Sequence, residues 1–344
     1  MSLAERTVIG YAVITPSIIC ASDNASRMTF AFTFPGQGSQ TVGMGKSLAE
    51  NFEAARHVFQ EVDEALGEHL SRTLWEGPEA TLTLTANAQP ALMAVSLAAY
   101  AALAREYGAD AIKPAFMAGH SLGEYSALAA AGVFPVSVAA KLLRLRGQAM
   151  QEAVPQGEGA MLALLGAEVE QAEQLAATAA EGDVSQVAND NAPGQVVISG
   201  AKPAMDRAIK LAPEHKIRRA VPLPVSAPFH CALMKPAADR MEAALEALTL
   251  NVPQVPIVAN VTAAPVTDPA EIKSLLVQQV TGVVRWRESV AYMVDQGAST
   301  LFEIGAGRVL TGLAKRIRAQ ADARSIGTPD EVKAFGEWLK ARGA

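Results

Sequence analysis

The sequence predicts an α/β protein: a large body built from both ends of the chain, residues 28–156 and 226–344, with a small unit of residues 157–225 inserted between them. Two observations define the body. Short apolar runs lead into glycine-rich loops and then into helical periodicity near residues 30 and 118, and long helical patterns return after Pro228. A third defines the insert, whose elements follow the order β-α-β-β-α-β of a ferredoxin-like unit.

Phe30, Phe32 and Phe34 alternate with small residues and predict a half-buried strand running into Pro35-Gly36-Gln37-Gly38-Ser39-Gln40. Leu48, Phe52, Ala55, Phe59, Val62 and Leu66 recur every three or four residues. They predict one helix, stopped by Gly67. A second helix is expected from Pro90 to Gly108, with the proline in its first turn. Ala115 to Ala118 form a strand that enters Gly119-His120-Ser121-Leu122-Gly123, and helices follow to Gly132 and through Arg146. In the insert, strands are expected at Met161–Leu165, Val184–Ala188, Gln195–Ser199 and Ile217–Leu223. Helices fall at Val169–Ala180 and Met205–Leu211, and Asn189–Gly194 is read as a turn.

Composition narrows the function. Half the residues are hydrophobic, 19% are charged and the net charge is −6, with no basic run, so nucleic acid is a poor partner. Two cysteines, Cys20 and Cys231, form neither a disulfide framework nor metal spacing and fit a reducing, cytoplasmic setting. No apolar run reaches membrane-spanning length. The stretch Val8 to Cys20 resembles a secretion signal faintly, but Glu5, Gly10 and Pro16 argue against it. Residues 1–27 read as an extension outside the core.

Gly119-His120-Ser121-Leu122-Gly123 has the pattern of a nucleophile elbow, a sharp strand-to-helix turn that puts serine at its tip. A plain glycine-rich turn would look the same. A serine nucleophile needs a base. His57, His69 and His215 read as solvated, and His120 sits in the elbow with its ring directed away from its neighbour. His230, in the proline-rich run after Pro222, is left by elimination; loop histidines are commonly just exposed. Cys231 beside it is no nucleophile, because neighbouring side chains on an extended chain point oppositely. Gly36-x-Gly38-x-x-Thr41 and Gly305-x-Gly307-x-x-Leu310 lack the third glycine of a dinucleotide fingerprint.

Several ordered motifs together resemble malonyl-CoA:acyl carrier protein transacylases. They are Phe34-Pro35-Gly36-Gln37-Gly38-Ser39-Gln40, Gly119-His120-Ser121-Leu122-Gly123-Glu124-Tyr125 and His230-Cys231-Ala232-Leu233-Met234. The match continues through Asn191-x-Pro193-Gly194-Gln195-Val196-Val197-Ile198-Ser199-Gly200 and Glu303-Ile304-Gly305-x-Gly307-x-Val309-Leu310, covering about residues 28 to 320. The resemblance implies an α/β-hydrolase-like body with a ferredoxin-like insert. It implies malonyl transfer from malonyl-CoA to the phosphopantetheine thiol of acyl carrier protein, with no metal and no cofactor beyond the CoA substrate.

By the same resemblance Ser121 is the nucleophile, His230 the base, and Gln279 the residue whose main-chain carbonyl orients His230. The amides of Gln37 and Leu122 form the oxyanion hole, and Arg146 grips the malonyl carboxylate through two parallel hydrogen bonds. Read alone, Arg146 shares its helix with Lys141 and Arg144 and would pass for part of a solvated face. Phe229 matches a position where a bulky ring accompanies malonyl rather than methylmalonyl, and simple loop packing explains it equally well. Lys216, Arg218 and Arg219 either meet an acidic carrier or are ordinary surface charges. A serine hydrolase, a transferase of a polyketide pathway or of another acyl-CoA, and an inactive docking domain are the alternatives. Nothing demands more than a monomer.

Overall fold

Alternating bulky and small residues decide where the first strand sits. The computed structural model describes residues 29–225 and 227–342, so the residue 1–27 extension lies outside the described residues. Ten strands are found there: β1 (Thr29–Phe34), β2 (Phe116–Gly119), β3 (Gly159–Leu165), β4 (Ser185–Ala192), β5 (Gln195–Ala201), β6 (Arg219–Pro222), β7 (Ile257–Val258), β8 (Pro265–Val266), β9 (Ala298–Ile304) and β10 (Asp322–Ile326). They form a six-stranded sheet in the order β10-β9-β1-β2-β7-β8, parallel except for β8. β1 lies inside this sheet and is buried on both faces, not one as its alternation suggests. Phe30 and Phe32 enter an aromatic cluster with Phe302, Phe335 and Trp338, while Ala31 makes room for a helical layer carrying Trp286, Val290 and Leu313. A central parallel strand covered by helices on both sides is buried in this way.

The insert forms its own antiparallel sheet, β4-β5-β3-β6, made wholly from residues 159–222. Two helices, Val169–Ala180 and Lys202–Leu211, cover it around a separate core of Leu162, Leu164, Leu175, Val196, Ile198 and Met205. This is the β-α-β-β-α-β arrangement expected from the sequence.

Three local expectations change. The helix expected over residues 48–66 is two helices, Lys46–Asn51 and Glu53–Leu66, split at Phe52 in an extended conformation; nothing in the structure explains the break. The helix expected to start at Pro90 begins at Thr85, five residues earlier. Tertiary contact supports that extra turn: the Thr85 hydroxyl donates to Gln37 Oε1, and Gly147 of helix Val136–Glu152 packs directly on Ala86. The turn expected at Asn189–Gly194 shrinks to Pro193–Gly194, because β4 continues through two register shifts to Ala192. Its polar run Asn189-Asp190-Asn191 is buried and contacts the body. Asn189 bridges Val284, Asp190 takes Arg287 at 2.9 Å, and Asn191 meets His120 at 2.8 Å. Each of these contacts fastens the insert to the body.

Candidate active site

The carboxyl ends of β1 and β2 are adjacent, with Phe34 opposite Gly119, so the loops that leave them face each other. That is the usual place for a ligand crevice in a parallel sheet. The turn after β2 is tight enough to require glycine at both flanks. A Cβ on Gly119 would lie 1.9 Å from the Gly123 carbonyl, and one on Gly123 would lie 2.2 Å from the Phe34 oxygen. Between them Ser121 takes φ 52°, a left-handed conformation that costs energy in a non-glycine residue. Asn260, in the loop after β7, holds this turn from both sides. Its Oδ1 accepts from the Ser121 amide at 2.8 Å, and its Nδ2 donates to the Gly119 carbonyl at 2.6 Å.

His230 also has positive φ, 59°, and its Nε2 lies 2.8 Å from Ser121 Oγ. Its Nδ1 lies 2.9 Å from the Gln279 main-chain oxygen. A carbonyl only accepts, so Nδ1 carries the proton and Nε2 is left to accept from the serine. Burial, with the Arg146 charge second, pushes the His230 ring down to about 3 against the opposing pull of the Gln279 carbonyl. The imidazole is therefore neutral at physiological pH and able to take a proton.

Arg146 is turned inward, 1% exposed, not part of a solvated face. Its helix separates the three basic residues: Lys141 is exposed, Arg144 binds Glu68 and Asn87, and Arg146 enters the site. Arg146 Nη1 donates to Gln89 Oε1 at 2.8 Å. Nη2 donates to Gln279 Oε1 at 2.8 Å and to Ser121 Oγ at 3.2 Å. Its Nε has no partner among the described residues. Gln89 continues through Thr85 to the Gln37 side chain, so a single hydrogen-bonded chain joins the β1 loop to the guanidinium. The amides of Gln37 and Leu122 find no acceptor among the described residues.

Ser121, His230, Arg146, Gln89, Gln37 and Leu122 line a cavity of about 380 Å³ with Met150, Met161 and Phe229 as its apolar wall. His57 and His69 are exposed, His215 lies on the insert away from the cavity, and Lys216, Arg218 and Arg219 are exposed and do not line it. His120 points away from Ser121 toward Asn191 and the Trp286 ring, and burial lowers its pKa. Cys231 donates to the Pro228 carbonyl and is buried. The Glu303 motif serves structure: its carboxylate caps the helix Val309–Ile317 through the amides of Leu310 and Thr311. Among the described residues no cluster of three metal-ligating side chains occurs, and no helix is long and apolar enough to cross a membrane.

Sequence reasoning missed Asn260, Gln89 and Glu124. Glu124 is 3% exposed, accepts from Gln279 Nε2 at 2.7 Å and from the Asn260 amide at 3.3 Å, and burial raises it to about 7. A glutamate in the first turn of a helix is ordinary by sequence, and only an elbow directly before it signals otherwise.

Residues 31–333 match the family model described as acyl transferase domain. The chain is 44% identical over 311 residues to malonyl CoA-acyl carrier protein transacylase of Bacillus subtilis, covering 90% of this chain and 97% of the relative. It belongs to the malonyl CoA-acyl carrier protein transacylase family. Among solved members of that family, the acyl-carrier-protein S-malonyltransferase of Bartonella henselae superposes with TM-score 0.89 at 54% identity, covering 91% of this chain and all of that one. A malonyl-transacylase solved with its type II polyketide acyl-carrier protein gives TM-score 0.87 at 43% identity, covering 90% and 99% of the two chains.

Proposed function

We propose that this chain moves a malonyl group from malonyl-CoA to the phosphopantetheine thiol of acyl carrier protein, through a malonyl ester on Ser121, to supply fatty acid synthesis in the cytoplasm. The observation that carries the reading is the buried guanidinium of Arg146 beside the Ser121 hydroxyl. An esterase has no use for a buried cation at that point, whereas an acyl group ending in carboxylate supplies the missing anion. The family relationship supports the substrate and the acceptor.

Ser121 Oγ attacks the thioester carbonyl while its proton passes to His230 Nε2, already 2.8 Å away. The free amides of Gln37 and Leu122 receive the oxyanion; one such donor contributes about 2.7 to 4 kcal/mol of transition-state stabilisation. The tetrahedral adduct collapses, the C–S bond breaks, and His230 returns the proton to the departing CoA sulfur. In the second half the carrier thiol gives its proton to His230 and attacks the ester. The Ser121 oxygen then leaves with that proton. The Gln279 carbonyl holds the ring throughout, and the imidazolium forms only transiently. Serine, imidazole and guanidinium suffice for every step, so we draw in no cofactor and no metal.

Intact mass after mixing with malonyl-CoA tests this directly. A malonyl adduct is expected, absent in Ser121→Ala, stable in water and discharged by holo carrier protein. Prompt free malonate without an adduct would favour a hydrolase, and an adduct persisting in Ser121→Ala would remove the nucleophile. Discharge rates onto fatty acid and polyketide carriers decide the pathway, the fatty acid carrier being expected to be faster.

A further inference from the structure

One side chain touches all three working parts of the site. The Gln279 main-chain oxygen orients His230, its Oε1 accepts from Arg146, and its Nε2 donates to Glu124 at 2.7 Å and to the Ser121 carbonyl at 2.9 Å. The amide works in one orientation only. Turned end for end, it would set NH₂ against a guanidinium and its oxygen against a carboxylate and a carbonyl. Ser121 O and Asn260 Oδ1, the latter at 3.4 Å, are neutral acceptors. Glu124 offers the third acceptor, at the shortest of the three distances, 2.7 Å.

Glu124 is otherwise hard to account for. A buried carboxylate is costly unless charge or hydrogen bonds compensate it, and Arg146 acts on it only through its field, with no hydrogen bond between the two. The groups facing it are Gln279 from helix Pro269–Thr281, Asn260 from the loop after β7, Arg146 from helix Val136–Glu152 and Tyr125 on its own helix.

We propose that Glu124 is a positioning residue that locks the Gln279 amide, so that Gln279 presents oxygen to Arg146 and holds the guanidinium ready for the substrate carboxylate. Glu124 touches no substrate and acts through Gln279 alone. The inference rests on the malonyl-transfer reading above. Glu124→Gln would weaken the lock while nearly keeping shape, because a glutamine can both accept from and donate to Gln279 and so tolerates either amide orientation.

A double-mutant cycle tests it. Wild type, Glu124→Gln, Gln279→Met and the double variant are compared by self-acylation with malonyl-CoA and acetyl-CoA, read as the ratio of the two kcat/KM values. The ratio cancels any loss of folded protein. Glu124→Gln should lower it about tenfold in the wild-type background and less than about twofold when Gln279 is already methionine. Equal losses in both backgrounds, or none in the first, would overturn the proposal. Wild type that takes no malonyl at all would instead overturn the transfer reading, and this inference with it. If Glu124→Gln is insoluble, Glu124→Asp, which draws the carboxylate back by one methylene, replaces it with the same two outcomes.

Discussion

The Arg146 guanidinium lies 3.2 Å from the Ser121 hydroxyl, so the cation proposed to read the substrate touches the hydroxyl proposed to attack it. A carboxylate held there leaves the thioester end of the same short acyl chain close to the serine. Under that proposal, recognition and attack are a single geometric arrangement.

Arg146→Ala should therefore cost malonyl transfer far more than acetyl transfer. Losing one partner of a buried charged pair costs about 2 to 5 kcal/mol. Malonyl kcat/KM is expected to fall about a hundredfold or more and acetyl kcat/KM less than about tenfold. Arg146→Lys should recover little, since one ammonium cannot span Gln89 and Gln279 while gripping a carboxylate. Equal losses for both acyl groups would leave the clamp without support.

The depressed pKa of His230 gives a pH signature. With the folded ring held down to about 3, it stays neutral from pH 5 to 8, and the rate of Ser121 malonylation in Glu124→Gln, which lacks the carboxyl that titrates near 7, should show no inflection near 6.5. Stopped-flow or quenched acylation would reveal one if the ring titrated normally. The same shift enters stability. The unfolded ring binds its proton near 6.5 and the folded one near 3, so this contribution is complete above 6.5 and lost as pH falls toward 3.

Glu124 runs with the opposite sign. Its folded value is raised from 4.5 to about 7, so its contribution is complete below 4.5 and lost as pH rises through 7. Urea midpoints of wild type and Glu124→Gln at pH 5 and pH 8 measure this. The variant should gain on wild type at the higher pH, and a constant difference would contradict the assignment.

Asn260→Ala should destabilise the fold and slow acylation together. It strips partners from the Ser121 amide and the Gly119 carbonyl, each worth about 1 to 3 kcal/mol when left buried and unpaired. A total of about 2 to 4 kcal/mol is expected in urea unfolding. Asn260→Asp keeps the acceptor for Ser121 but loses the donor, and should fall between. Wild-type stability in the alanine variant would mean the elbow holds itself.

What could be read from the sequence was what local pattern encodes. The elbow is readable because its turn forbids side chains at Gly119 and Gly123, and the βαββαβ order because each element carries its own periodicity. Arg146 emerged only through the resemblance, since on a helix with Lys141 and Arg144 nothing local says which cation turns inward. Asn260 follows a two-residue strand with no periodicity, and Glu124 imitates a favourable helix start. The continuation of β4 through Asn189-Asp190-Asn191 is fixed by contacts from distant segments, and nothing in the structure explains the break at Phe52.

The insert separates the proposed nucleophile and its proposed base along the chain. Ser121 and His230 are 109 residues apart, and β3 to β6 lie between them. A ribosome adding about 5 to 20 residues per second leaves the serine without its base for about 5 to 20 s. Throughout that interval a nascent chain carries an unactivated hydroxyl in place of a nucleophile. Acyl-CoA in the surrounding solution then has no armed serine to modify until the insert has been made and the chain has returned to the body.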